Sequence, residues 1–334
     1  MLVNFIDKAH EKGYTENTEI SILRKMNDQK MKKNQYQKKG IALIYLAKKF
    51  FTFSVGNQLP TIDQICQESN ISRGTIQGAL DCLKEDGAIE TVSRGHLGTY
   101  LTAIDQDKLL NYLDDRNIVG AMPLPYTSYY EGLSTGFYKV FNNEKLTLNM
   151  AYVNGSVSRL KGLLNNRYDF IVVSGLTSDY LLDHYEVDSI KTLPAHTYLS
   201  EHVIVFRKNT DAQIMDGMKV GVDSNSIDYA VLTKKILNHH NVQLVEMPYN
   251  QIVQRIQGGD IDAAIWNKDE VIEKNYPVDY QKIDSDLIEK ASRASLICRK
   301  NDTFTEKIIS SCFDFNKLLH IQQLVISKKI FPEY

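Results

Sequence analysis

Two groups of residues in this chain have the types and spacing for recognition chemistry. The first is Ser72-Arg73-Gly74-Thr75-Ile76-Gln77 and, further on, Arg94-Gly95-His96. An arginine can make paired bonds to a guanine edge or hold a phosphate, and a glutamine can pair with adenine. The hydroxyls of Thr61, Ser72 and Thr75 suit phosphate oxygens as well as helix caps. Arg94 and His96 lie between glycines, as a basic hairpin tip for phosphate or minor-groove contact would. Taken singly, each is an ordinary surface residue or cap. Their order along the chain is what points to double-stranded DNA.

The second group is spread over loops that lead into helices: Met122 to Thr127, Asn154-Gly155-Ser156, Val173-Ser174-Gly175 and Asp223-Ser224-Asn225-Ser226. In open α/β sheets, ligands sit beyond the carboxyl ends of the strands. The free N–H groups of helix N-termini there favour anions. Tyr126, Thr127, Tyr130, Asn154, Ser156, Ser174, Asp223, Ser224, Asn225, Ser226 and Trp266 are therefore candidate ligand contacts, with the tyrosines and Trp266 as flat walls. Packing competes for each tyrosine, since the chain has 19 of them. The 223–226 loop would cap a helix in any case.

Catalytic motifs are missing from the sequence. It has no P-loop, no G-x-S-x-G and no H-E-x-x-H. Asp260 and Asp262 share one strand face beside a turn, and His239-His240 reads as a solvated pair at a helix end. Cys66, Cys82, Cys298 and Cys312 are scattered without C-x-x-C spacing and read as reduced thiols of a cytoplasmic protein. No catalytic residue, metal ligand or cofactor is expected.

The elements that must position the first group follow one another between 36 and 103. Ile41, Leu43, Ile44, Leu46, Ala47, Phe50 and Phe51 give a wide apolar helical face, broken at Gly56 and Pro60. Thr61 and Gln64 form a capping box ahead of Ile62, Ile65 and Cys66. Asn70 supplies the stop. Ser72 caps a second helix, with Ile76, Ala79, Leu80 and Leu83 on its inner side. A hairpin follows: strand 88–92, glycine-bearing loop 93–98, return strand 99–103. Gly74 and Gly78 are poor helix formers and would allow close backbone approach to DNA or to another helix.

The second group sits on alternating strands and helices from Ile118 onward, the pattern of a mostly parallel sheet layered with helices. Two such runs, joined by Glu201-His202-Val203-Ile204-Val205-Phe206, predict two α/β lobes. The boundaries read as an N-terminal extension 1–35, a winged helix 36–103, a linker 104–117 carrying a short helix from Lys108, and a two-lobed domain 118–334. Within it, the first lobe covers about 118–200 and 296–334 and the second about 207–292, with crossovers near His202–Arg207 and Ser295–Arg299.

Composition fits this plan. A chain of 334 residues with 43% hydrophobic and 24% charged residues is ordinary for globular domains. It has no apolar run of the roughly 20 residues a membrane span needs, and its N-terminus lacks a secretory pattern. A net charge of −2 conceals nine basic residues between Arg24 and Lys49, opposed only by Asp28. That excess suits a polyanion partner.

Gln58-Leu59-Pro60-Thr61, Ile71-Ser72-Arg73-Gly74-Thr75-Ile76, Ala79 through Ile89, Arg94-Gly95 and Gly98-Thr99-Tyr100 together resemble the GntR-type winged helix. The resemblance implies DNA binding. It departs from the pattern where Ile62-Asp63 replace an acidic–basic pair and where Gln77-Gly78 replace Arg-Glu, so two customary basic contacts are missing. The whole chain is most similar to the YhfZ group of regulators. In that group a winged helix precedes a domain resembling type-2 periplasmic solute-binding proteins. This resemblance implies two lobes around a ligand cleft. The expectation is a transcription regulator, dimeric because helix-turn-helix pairs read paired half-sites, in which a small, anionic effector closes the lobes. The alternatives are an enzyme of the same fold carrying an autoregulatory DNA-binding domain, and a constitutive DNA binder whose C-terminal half only dimerises.

Overall fold

The computed structural model describes residues 37–113, 117–141 and 143–334. The extension 1–35 and the basic residues Arg24 to Lys33 lie outside the described residues. The chain divides into two compact units, one ending at Arg116 and the other beginning at Asn117.

The first unit begins with helix α1 (37–51), which buries Ala42, Leu46, Ala47, Phe50 and Phe51 and leaves Ile41 exposed. Helix α2 (Ile62–Ser69) starts at the capping box: the Thr61 hydroxyl accepts from Gln64 N, and the Gln64 amide oxygen accepts from Thr61 N at 2.8 Å. It ends at Asn70 in the left-handed conformation. Helix α3 (Arg73–Glu85) turns Ile76, Ala79, Leu80 and Leu83 into the core. Strands β1 (Ile89–Ser93) and β2 (Thr99–Ile104) pair antiparallel, with one 3-10 turn at Gly95–Leu97 forming the wing tip. Residues 56–59 run beside β2, with Gly56 N bonding Leu101 O and Leu59 N bonding Thr99 O.

The segment expected as a linker is folded over much of its described part. Helix α4 spans Gln106–Leu110, starting earlier than the sequence pattern suggests because the Asp105 carboxylate accepts from Lys108 N. Leu109, Leu110 and Leu113 are buried. Lys108 Nζ bonds Asp86 O, so this helix is tied to the end of α3.

The second unit contains two five-stranded sheets of the same design. The first has the order β4-β3-β5-β12-β6, from β3 (Asn117–Met122), β4 (Thr147–Tyr152), β5 (Phe170–Ser174), β6 (Val187–Thr192) and β12 (Ala294–Arg299). The second has the order β11-β7-β10-β8-β9, from β7 (His202–Arg207), β8 (Lys219–Val222), β9 (Gln243–Glu246), β10 (Ala263–Asn267) and β11 (Val278–Lys282). Each sheet has one strand reversed against its neighbours: β12 in the first, β7 in the second. These are the strands at the expected crossovers. They are full sheet members, and the chain passes between lobes just before each of them.

Helices α5 (Ser128–Val140), α6 (Ser156–Leu164) and α7 (Gly175–His184) follow β3, β4 and β5. Helices α8 (Ile227–Ile236), α9 (Ile252–Gly258), α10 (Lys268–Glu273) and α11 (Asp286–Ala291) serve the second sheet. The chain ends with α12 (Thr303–Cys312) and α13 (Phe315–Ile326). Helix α13 packs on α5 where Gly132 and Gly136, one turn apart, leave no space for a side chain: a β-carbon there would stand 2.8 Å from Gln322 Cγ and 2.9 Å from Leu318 Cγ. The result is a winged helix-turn-helix unit followed by a two-lobed α/β unit. No helix among the described residues is long and apolar enough to cross a membrane.

Candidate functional site

The candidate DNA interface is the outer side of α3 with the wing. Ser72, Arg73, Gly74 and Asp81 are exposed, and Thr75 and Gln77 half-buried. Ser72 stands at the N-cap, but its side chain makes no cap bond to the backbone; its hydroxyl meets that of Thr75 at 2.8 Å. Arg73 is ion-paired to Asp63 of α2, both well exposed, and Gln77 donates to Asp81 at 2.9 Å. Exposed pairs of this sort are weak and screened by salt, so DNA can displace them. A β-carbon added at Gly74 or Gly78 would meet nothing within 4 Å. The two glycines are therefore not demanded by packing among the described residues, and they leave the α3 backbone open to a close neighbour. In the wing, the Arg94 guanidinium lies 4.7 Å from the Tyr100 ring centroid, which holds the charge beside the tip, while Gly95 and His96 are exposed.

Of the described basic residues in α1, Lys38 and Lys39 are exposed. Lys49 is committed to Glu68 at 2.5 Å. Glu68 also accepts from Tyr45 Oη, whose pKa is pushed up to about 12, first by burial and then by that bond.

The second candidate site is a cavity between the two lobes of the C-terminal unit. Its walls include Tyr126, Tyr130, Asn154, Ser156, Arg159 and Tyr198 from the first lobe, and His202, Asp223, Ser226, Asp228, Tyr229 and Tyr249 from the second. Its volume open to water centres is about 50 Å³, room for a few waters. The lobes are drawn together over it. At the start of α6, Val157 N donates to Asn225 O at 3.1 Å, Ser158 Oγ to Asn225 Oδ1 at 3.0 Å, and the Ser156 hydroxyl accepts from Ile227 N at 3.0 Å. At α7, Ser174 Oγ and Thr177 Oγ1 donate to Asp228 Oδ1 at 2.5 and 2.8 Å. At α5, Ser128 N donates to the Glu273 carboxylate. Each of these three first-lobe helices is thus met near its N-terminus by acceptors from the second lobe, where backbone dipoles favour them.

Arg159 is buried at 3% exposure. Nη1 donates to Val153 O at 2.7 Å and Nη2 to Tyr198 Oη at 3.2 Å, while Nε has no partner among the described residues. Among the described residues, no carboxylate forms an ion pair with it within 4.0 Å. Asp228 is buried; burial raises its pKa, opposed by the Ser174 and Thr177 bonds and the Arg159 charge. Burial also lowers the His202 pKa to about 3, so this imidazole is neutral. The Tyr249 ring lies 3.8 Å from the Trp266 ring at an angle of 6°, and Tyr126 stacks toward Tyr249 from the opposite lobe at 6.2 Å. No group of three or more His, Cys, Asp or Glu among the described residues is placed to hold a metal ion.

A family model described as the YhfZ C-terminal domain matches residues 105–334. The protein YhfZ of Escherichia coli strain K12 is 33% identical over 309 residues, covering 91% of this chain and 100% of that one. This chain belongs to the YhfZ family. A helix-turn-helix domain model matches residues 54–101, within the first unit. The crystal structure of YhfZ from Shigella flexneri aligns with a TM-score of 0.58 and 32% identity, over 68% of this chain and 97% of that chain.

Within this YhfZ-type domain, six residues expected at the site line the cavity: Tyr126, Tyr130, Asn154, Ser156, Asp223 and Ser226. The other five lie around it. Thr127 is the N-cap of α5, with its buried hydroxyl unpartnered among the described residues. Ser174 caps α7 and reaches Asp228. Ser224 turns away to Glu246 of β9, Asn225 bridges the lobes, and Trp266 backs the Tyr249 wall. Sequence reasoning missed Arg159, Tyr198, His202, Asp228, Tyr229 and Tyr249. One signal was available: Arg159 falls beside Leu160 and Leu163 on the buried side of α6, where an arginine needs a reason.

Proposed function

We infer that this chain is a transcription regulator whose helix-turn-helix domain binds double-stranded DNA and whose two-lobed domain senses a small anionic metabolite. The observation that carries the sensing role is Arg159: a buried guanidinium without an ion-pair partner among the described residues, in the wall of a cavity built by both lobes. A buried charge that makes no close ion pair is costly, and an anionic ligand would supply that contact. Binding between lobes favours the closed arrangement only by its differential affinity for it. In a homodimer, closure would alter the spacing of two winged helices and so the fit to paired half-sites. The place of action follows from the partner: the cytoplasm, where the DNA is.

A binding role rather than catalysis is supported by the state of the cleft groups. Ser174 and Thr177 are engaged with Asp228, and both Asp223 oxygens accept backbone N–H groups, from Asn225 and Tyr249. Trp266 is the single tryptophan of the chain and lies against the cavity wall, so its fluorescence reports on the cleft. Titration with small organic anions should give a saturable change that is lost in Arg159→Gln. A response unaltered by that substitution would remove the cleft from the account.

A further inference from the structure

Arg159 of α6 and Asp228 of α8 are opposite charges in the wall of one cavity, and they do not meet within the 4.0 Å of an ion pair. Each has capacity left over. Arg159 uses two of the five N–H donors a guanidinium carries. Asp228 accepts its two hydroxyl bonds on one oxygen, Oδ1, with the Thr177 backbone N–H also favouring its charged form. Oδ2 thus retains room for a further donor, since a carboxylate can accept about four bonds.

The other polar groups of the wall are settled differently. Asp223 accepts backbone N–H groups on both oxygens, from Asn225 and Tyr249 at 2.9 Å each. His202 is neutral, because burial disfavours its charged form. The charged lining of the cavity is therefore one cation facing two carboxylates.

Resting on the ligand-cleft reading above, we propose that Asp228 sets the specificity of this site: Arg159 holds the one anionic group of the ligand, and Asp228 Oδ2 accepts a hydrogen bond from a donor beside it. The class of ligand is a small acid with a single anionic group and a hydroxyl or an ammonium next to it. An acid without that donor leaves a buried carboxylate oxygen unpaired, which is costly. A second negative charge on the ligand meets Asp223 and Asp228 at short range in a poorly solvated cavity. Oδ1 of the same carboxylate is held by Ser174 and Thr177 of the opposite lobe. A ligand bonded to Oδ2 therefore adds to the side chain that ties the lobes together, and specificity and closure act through one group.

The test is a thermal-shift titration of the full chain with four classes of probe. These are 2-hydroxy and 2-amino monocarboxylates such as lactate and alanine with their longer homologues, unsubstituted monocarboxylates of the same lengths, dicarboxylates, and phosphate monoesters. The first class should stabilise the protein by mass action, with affinity at least about tenfold above the matched unsubstituted acids. Asp228→Asn keeps the size and removes the charge, so its preference for monoanions over dicarboxylates should shrink by a similar factor. Equal or stronger stabilisation of the wild type by unsubstituted acids or dianions would overturn the role of Asp228 and leave the ligand cleft standing. Silence from all four classes would contradict the anion cleft itself, and this inference with it.

Discussion

Gly155 and Asn225 meet across the two lobes so closely that a β-carbon on the first would stand 2.0 Å from the amide nitrogen of the second and 2.7 Å from its carbonyl oxygen. Gly155 is also the N-cap of α6, with φ at 75°, a left-handed conformation that favours glycine. The closed lobes thus depend on a residue without a side chain, at the place where Val157 N, Ser158 Oγ and the Asn154 carbonyl all engage Asn225.

Gly155→Ala should therefore cost about 1–3 kcal/mol through steric overlap and backbone strain. For a domain of this size that lowers the melting temperature by roughly 2–4 °C per kcal/mol. Calorimetry of the variant checks it, and an unchanged melting temperature would mean that Asn225 gives way without loss.

His202 predicts an acid sensitivity with a definite sign. Its folded pKa, about 3, lies below the 6.5 of the free side chain. Above pH 6.5 it is neutral in both states and adds no pH dependence. As pH falls from there toward 3, the unfolded chain takes up a proton that the folded chain refuses, and stability is lost by up to about 1.4 kcal/mol per pH unit. His202→Phe should flatten the fall in melting temperature between about pH 6 and about pH 4 relative to the wild type. Identical slopes for the two proteins would show that the imidazole titrates normally in the folded state.

The winged helix was readable from the chain because its signals are local. The Thr61–Gln64 box, the Asn70 stop and the Ile76, Ala79, Leu80, Leu83 spacing each act within one or two helical turns, and each forms as read. Two lobes were readable for a similar reason, since buried strands such as Phe170–Ser174 and Ala263–Asn267 are continuous apolar runs. Strands β6 and β11 escaped: Val187–Thr192 and Val278–Lys282 are edge strands that bury little beyond their first residue. The cleft escaped in part because its members are joined by long-range packing. Nothing near Arg159 in sequence announces Tyr198, and nothing near Asp228 announces Ser174 and Thr177. Loop composition located the rim of the cavity, whereas its charged floor comes from helix residues that periodicity assigns to a core.

The Arg73–Asp63 pair places a carboxylate beside a candidate DNA contact. Arg73→Ala and Arg94→Ala should each weaken binding to DNA from the promoter region of the protein's own gene, by about 1–3 kcal/mol where a base is read and less where only a phosphate is held. Asp63→Asn should tighten binding, since it frees Arg73 and removes a repelling charge. Anisotropy titrations at fixed salt would show this. Wild-type affinity in both arginine variants would contradict the assignment of α3 and the wing.

Lys38 and Lys39 differ from Lys49, which Glu68 already neutralises. Replacing the exposed pair by glutamine should reduce the dependence of log K on log salt by up to about 0.9 for each phosphate that is no longer neutralised. Lys49→Gln should change that slope little. Equal effects at all three positions would place α1 against the DNA in a way its ion pair does not suggest.

The central claim is that occupation of the cleft changes DNA binding. The direct measurement is the Kd of the full chain for its promoter DNA, at constant salt, with and without a saturating acid that stabilises the wild type but not Arg159→Gln. The account predicts a shift of about 5-fold or more in Kd, as coupling of about 1–3 kcal/mol gives, and no shift in Arg159→Gln. The same Kd with and without the bound acid would contradict it.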